Sequence, residues 1–245
     1  MPVVFRPLPA LSIVTTLLLA VLLALGGWQL QRLRWKLELI AQVQRNLTAP
    51  PFTLDQALAA GASTAQYHRV RLKGRFDNAK EAYVFGTGVA GAPIFHVIVP
   101  FHSVDGRVVL VDRGIVPRDL RDPATRSRGL IAGVTTLVGV WRLPDPPGPF
   151  TPQPDLPKRI WFSRDVAGIA KVDRVRLAAP VVIEAAGVPD PGGWPQGGPT
   201  PMNFRNEHLQ YAITWFLLAA GLLGIYLAYH VSRGRLAFGS REPGK

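Results

Sequence analysis

Two long apolar runs, Leu11 to Leu30 and Leu209 to Tyr229, restrict this chain more than anything else in it. As a helix each is about 30 Å long, the depth of a bilayer's hydrocarbon core. Backbone groups find no water there, so a single run that crosses must be helical. A cleaved leader is the competing reading of the first run, since Ala24-Leu25-Gly26 has small residues at cleavage-site spacing. Arg6 is the one cation before it and the run is long for a leader, so a retained anchor is expected. The helix should also outlast the membrane. Trp28, Arg32 and Trp35 share a face at i, i+4 and i+7, and Leu33, Leu37, Ile40 and Leu47 continue an apolar stripe up to Pro50 and Pro51. Taken alone, Trp and Arg at a helix exit mean only interfacial anchoring.

The chain carries 28 Lys and Arg against 16 acids, a net charge of +12. The cations are spread along it, often beside the apolar runs, with no basic stripe interleaved with aromatics. An anionic lipid bilayer is therefore the expected counter-surface, and no nucleic acid is expected. The absence of cysteine excludes disulfides, thiolate metal sites and cysteine nucleophiles. Two spans place both termini on one side and residues 31–205 on the other. Charge does not orient them: Arg6, Arg233, Arg235, Arg241 and Lys245 balance Arg32, Arg34, Lys36, Arg45 and Arg205.

Between the spans, short β-branched runs alternate with turn residues: Tyr67–Phe76, Glu81–Phe85, Ile94–Phe101, Val108–Val111, Val134–Trp141 and Val181–Glu184. This spacing predicts an antiparallel sheet or small barrel. Residues 53–60 and Ser163–Ala170 read as short helices, the latter with Ser163 as N-cap. Pro144 to Pro157 is too rich in proline for a strand, and Gly187 to Pro201 reads as a linker. The second span should begin between Thr200 and Asn206.

Most motifs in the middle of the chain carry no function. Gly86-Thr87-Gly88-Val89-Ala90-Gly91 has dinucleotide-loop spacing, but the strand-like Ile94–Val99 follows where a helix is required. His96 and His102 are separated by Pro100 with no third ligand near, and His68 stands alone. Asp112-Arg113 reads as a structural pair at a strand end, and Asn46-Leu47-Thr48 is a glycosylation sequon by pattern only. With no compact catalytic group in residues 50–200, no enzyme is expected; a membrane-anchored enzyme, periplasmic if the domain faces outward, is the alternative.

The second span differs. His208, Tyr211, Trp215 and Ala219 fall on one face, while Ala220, Gly224 and Ala228 form a small-residue stripe suited to helix packing, as are Ala20 and Ala24 on the first span. That packing would leave the His208 face open. Antiparallel spans bring His208 to the depth of Trp28, Gln29 and Arg32, and an ionisable group held at membrane depth is a functional candidate. An imidazole for iron, rings for a macrocycle and guanidinium for propionates suit a haem. The plainer reading is a histidine bonded to headgroups or to its own domain.

The blocks Gly27-Trp28-Gln29 with Arg32, Trp35 and Lys36; Tyr67, Val70, Gly74 and Phe76; Val109 to Gly114 with Val116-Pro117; Gly133, Gly139, Phe150-Thr151-Pro152 and Trp161-Phe162; and Asn206 with His208 to Ala212 and Thr214-Trp215-Phe216 follow in order along nearly the whole chain. Together they resemble the Surfeit locus protein 1 family of cytochrome c oxidase assembly factors. Ile115 and Ile94-Phe95 depart from that family's usual aromatic and Gly-Tyr. The resemblance implies two transmembrane α-helices flanking a β-rich α+β extracytoplasmic domain, in a bacterial plasma (inner) membrane given the lack of a mitochondrial targeting segment before Leu11. The implied organisation is a cytoplasmic N-terminus (1–10), first span (11–30), juxtamembrane helix (31–49), periplasmic β-rich domain (50–186), linker (187–205), second span (206–230) and basic cytoplasmic tail (231–245). It further implies a non-enzymatic role in maturing haem–copper oxidases, with haem a bound through His208 as iron ligand. Tyr211 and Trp215 would be pocket walls, Arg32 or Arg34 a propionate partner, and Trp28 and Gln29 neighbours of the site. Oxidase subunit I and haem a synthase are the implied partners, and a haem-free scaffold for those proteins is the alternative.

Overall fold

The computed structural model describes residues 3–88, 91–186, 191–198 and 206–238. Val89, Ala90, Arg205, Arg241, Lys245 and most of the expected 187–205 linker lie outside them. In chain order the elements are β1 (Val3–Phe5), α1 (Pro9–Thr48), β2 (Phe52–Thr53), α2 (Leu54–Ala60), β3 (Arg69–Phe76), β4 (Ala82–Thr87), β5 (Pro93–Ser103), β6 (Val108–Pro117), β7 (Thr135–Arg142), β8 (Ile160–Trp161), α3 (Val166–Asp173), β9 (Leu177–Ala185), α4 (His208–Ser232) and β10 (Leu236–Phe238). They divide into two units, Met1–Ala41 with Asn203–Lys245, and Gln42–Met202.

The first unit is a helix pair. Both α1 and α4 are long and apolar enough to cross a membrane. Gln29 meets His208 and Ser12 meets Tyr226, so the two run antiparallel. On α4 the less exposed residues are His208, Ala212, Trp215, Ala219, Leu222, Tyr226 and His230; on α1 they include Ser12, Thr15, Leu19, Leu22, Gly26 and Gln29. Steps of three and four along both helices make a seam of coiled-coil type. This corrects the expected packing: Ala220, Gly224 and Ala228 are exposed, as are Ala20 and Ala24. Small residues do permit the close approach, but they are Gly26, Ala212 and Ala219, on the His208 face. A Cβ on Gly26 would stand 2.7 Å from the Phe216 ring. At the other end β1 and β10 pair antiparallel, Phe5 opposite Leu236. His230 is fully buried beside this ribbon, its ring 5.5 Å from that of Phe5 and 4.2 Å from that of Tyr226.

The second unit is a closed five-stranded barrel. Its order β3-β7-β9-β6-β5 returns to β3 through a further β3–β5 pairing. Gly74 is the seam residue, opposite Thr135 on β7 and Ser103 on β5. A side chain there would drive into the His102 carbonyl, so closure demands glycine. Of the two expected forms, sheet or barrel, the barrel is found, and it is not wholly antiparallel: β6 and β9 run parallel. On β3, Val70 and Leu72 are buried while Arg71, Lys73 and Arg75 are exposed, the alternation of a strand with one wet face. The interior packs Val70, Leu72, Phe101, Val109, Val111, Trp141 and Ile183 under Leu54 and Ala57 of α2, which a Thr53–Gln56 capping box begins.

Strands β5 and β6 are buried on both faces. Their outer face is covered by Val84, Trp161, Val166 and Ile169, and beside these by a cluster around Tyr83, Phe95 and Ile160. Such doubly covered strands read as continuous apolar runs. Strand β6 therefore continues past the expected Val111 to Pro117, and β9 begins at Leu177, before the expected Val181. Helix α3 is shifted from the expected 163–170 because Asp165, not Ser163, caps it by accepting from the Gly168 amide at 2.9 Å. In the expected linker, Gln196 bridges Ile115 and Trp194 packs on the Phe95 cluster, so residues 191–198 lie on the barrel.

Candidate functional site

His208 is the first residue of α4, not a turn inside it, and Asn206 accepts from its amide at 3.4 Å. Its ring is part-buried in the helix seam, where Nδ1 lies 2.8 Å from Gln29 Oε1. An amide oxygen can only accept, so Nδ1 donates to it and the bond with Gln29 leaves Nε2 uninvolved. Nε2 makes no hydrogen bond and is not enclosed among the described residues. A ring held through one nitrogen with the other facing outward is the arrangement in which histidine ligates metal.

The neighbouring groups sort by exposure. The guanidinium of Arg32 lies between two rings of its own helix, 4.9 Å from Trp35 and 6.0 Å from Trp28. Trp28 and Tyr211 are each 51% exposed, whereas Trp215 is half-buried in the seam. The predicted residues are thus brought together at one end of the helix pair, with a difference of role. The His208 face is not vacant: it is the packing face, and Gln29 meets His208 across it. Tyr211 stands on its flank.

Within the barrel the histidines are separate. His96 Nδ1 lies 2.9 Å from Asp112 Oδ2, and His102 Nε2 lies 3.8 Å from Asp77. His68 stacks on Phe52 at 4.4 Å, and no group of three metal-capable side chains occurs among the described residues. Burial works against charge on His96, but the hydrogen bond and charge of Asp112 outweigh it and raise its pKa. Asp112 therefore serves His96 and the Gly114 amide, and it does so from within β6, not at the expected strand end. Arg113 donates to the Gly129 carbonyl.

Sequence reasoning missed the buried polar centre at Glu81. Its carboxylate, 3% exposed by residue, is held by Arg126 and accepts from the Tyr83 hydroxyl at 2.9 Å. Burial, reinforced by that carboxylate, pushes the Tyr83 phenol upward. Removing one partner of such a buried pair costs about 3–5 kcal/mol, because the other charge stays behind. The 45 residues separating Glu81 from Arg126 left no local pattern to read.

Against known proteins, the SURF1 family matches residues 16–220. Surfeit locus protein 1 of Mus musculus is 35% identical over 227 residues, covering 85% of this chain and 72% of its own length. That of Takifugu rubripes is 34% identical over 228 residues, covering 85% and 92%. The Homo sapiens protein is 36% identical over 215 residues, covering 80% and 69%. With the match running from within α1 through the whole barrel and into α4, the chain belongs to the SURF1 family.

Proposed function

We propose that this chain is a membrane-anchored, non-enzymatic assembly factor for cytochrome c oxidase, a haem–copper terminal oxidase, and that its helix pair holds haem a for delivery to subunit I. The assembly role rests on family membership and on the resemblance of the residue blocks given above. The haem reading rests on one observation: Gln29 holds His208 Nδ1 at 2.8 Å and leaves Nε2 outside that bond. The donor chemistry fits the group, with an imidazole for iron, exposed indole and phenol surface at Trp28 and Tyr211, and Arg32 or Arg34 for propionates. Trp215, half-buried in the seam about two turns further along α4, would wall the pocket with Tyr211. Bound there, haem a would supply a redox-active iron that His208 would hold. In this reading Gln29 fixes the tautomer and ring direction, Arg32 is pre-aligned by its two tryptophans, and the seam keeps water from the protonated nitrogen. The central domain would face the periplasm of a bacterial inner membrane with both termini cytoplasmic, and the partners would be subunit I and haem a synthase.

The alternative is a scaffold that binds those proteins without haem. Purification from cells that make haem a separates the two. We expect a haem absorption band with the wild type, its loss in His208→Ala, and a shifted and weaker band in Gln29→Ala, where the ring loses its orienting acceptor. A band unchanged in His208→Ala would remove the ligand assignment and leave the scaffold.

A further inference from the structure

Beside β4, β5 and β8 the outer apolar cluster is left partly open. Phe85, Pro93, Phe95 and Ile160 floor a cleft of about 400 Å³ whose rim carries Arg118, Arg121 and Lys158. Phe85 is 40% exposed, and the exposed Phe162 ring lies 6.0 Å from it, so the apolar floor extends past the cleft.

The rim is held in place from beneath. Arg126, paired with Glu81, donates to the carbonyls of Leu120 at 2.9 Å and Arg121 at 3.4 Å, fixing the turn that presents Arg118 and Arg121. On the other side Arg159 adopts a left-handed backbone (φ 54°), uncommon for a residue with a side chain. It donates to the Glu81 carbonyl at 2.7 Å and to Asp173 at 2.5 Å, fixing the hairpin that presents Lys158. Both arms of the rim therefore converge on Glu81. The Arg121 guanidinium lies 5.4 Å from the Phe95 ring and 6.0 Å from that of Tyr83. Among the described residues no carboxylate lies within ion-pair distance of Arg118 or Arg121, while Lys158 shares Asp155 at 3.0 Å.

A ring-stacked arginine with no carboxylate in contact, Asp155 acting on it only from further off, is pre-organised for a planar carboxylate. We propose that this cleft docks an acidic segment of a partner polypeptide in which a carboxylate stands next to an aromatic or aliphatic side chain. The volume exceeds what a bare anion fills and suits one or two side chains. A lipid headgroup would use the charges and leave the phenyl floor idle, whereas such a segment uses both. This inference does not depend on haem.

The test uses the full chain in nanodiscs of zwitterionic lipid and a dye-labelled hexapeptide alternating glutamate and phenylalanine, read by fluorescence anisotropy. We expect binding that weakens about tenfold in Arg121→Ala and in Arg118→Ala, the scale of one charge-assisted hydrogen bond. Arg71→Ala, on the exposed face of β3, removes the same charge and should leave binding unchanged. Peptides with glycine for phenylalanine, or lysine for glutamate, should bind at least about tenfold more weakly. Arg118 is exposed and its side chain makes no hydrogen bond among the described residues, so its variant carries the test should Arg121→Ala unfold. Equal binding of the glycine peptide, an equal loss in Arg71→Ala, or no binding of any peptide would each overturn the proposal.

Discussion

His96 and Asp112 show how one contact decides the direction of a titration. Burial alone would hold the imidazole neutral, and the carboxylate 2.9 Å away reverses that. Glu184 assists and Arg164 opposes from further off. Because the folded pKa lies above the ordinary value near 6.5, the pair adds stability at pH below that value. The contribution is lost as pH rises through the folded pKa. NMR titration of the His96 ring should find a midpoint above that of a free histidine. In Asp112→Asn the midpoint should fall, since burial is then opposed mainly by the more distant Glu184. A midpoint that stays put in the variant would mean that Asp112 is not the cause.

At the scale of the element, the helix seam makes a prediction that the sequence alone gets backwards. Gly26→Leu should force Phe216 aside and part the helices, costing about 1–3 kcal/mol, typical of overpacking. Gly224→Leu should leave the pair intact, because nothing lies within 4 Å of that position. Pairwise cross-linking across the seam, or the thermal stability of the protein in detergent, distinguishes these outcomes. The helices themselves were legible because long unbroken apolar runs suffice to name them, and β3 was legible because its cations and aliphatics alternate. The packing face was not. Small residues four apart at Ala220, Gly224 and Ala228 follow the helix period, whereas the contact follows the seven-residue spacing of Ala212 and Ala219, which only a partner helix reveals. The limits of β6 and β9 were obscured for a related reason: strands covered on both faces lose the alternation that marks their ends. His208 and Gln29 could be set at one depth from the antiparallel spans, but their hydrogen bond depended on the rotation of each helix. The Glu81 centre and the cleft above it join segments far apart in the chain, and no spacing rule reaches them.

For the molecule as a whole, the proposed topology places the barrel on one side of the membrane and both termini on the other. The cysteine-free chain makes this directly testable. Val104→Cys lies in the exposed turn after β5, and Arg233→Cys follows α4. In intact cells a membrane-impermeant maleimide should label the first, and the second only after lysis. Labelling of both in intact cells would contradict the two-span arrangement.

The ribbon of β1 and β10 sets Val3 directly across from Phe238. Opposed residues of an antiparallel pair stand about 5 Å apart, the gap that a two-residue turn bridges. A two-residue turn could therefore join Phe238 directly to Val3. Sealed there and cut instead in the turn between Ser103 and Arg107, the chain would keep both helices and all five staves of the barrel while exchanging the order in which a ribosome makes them.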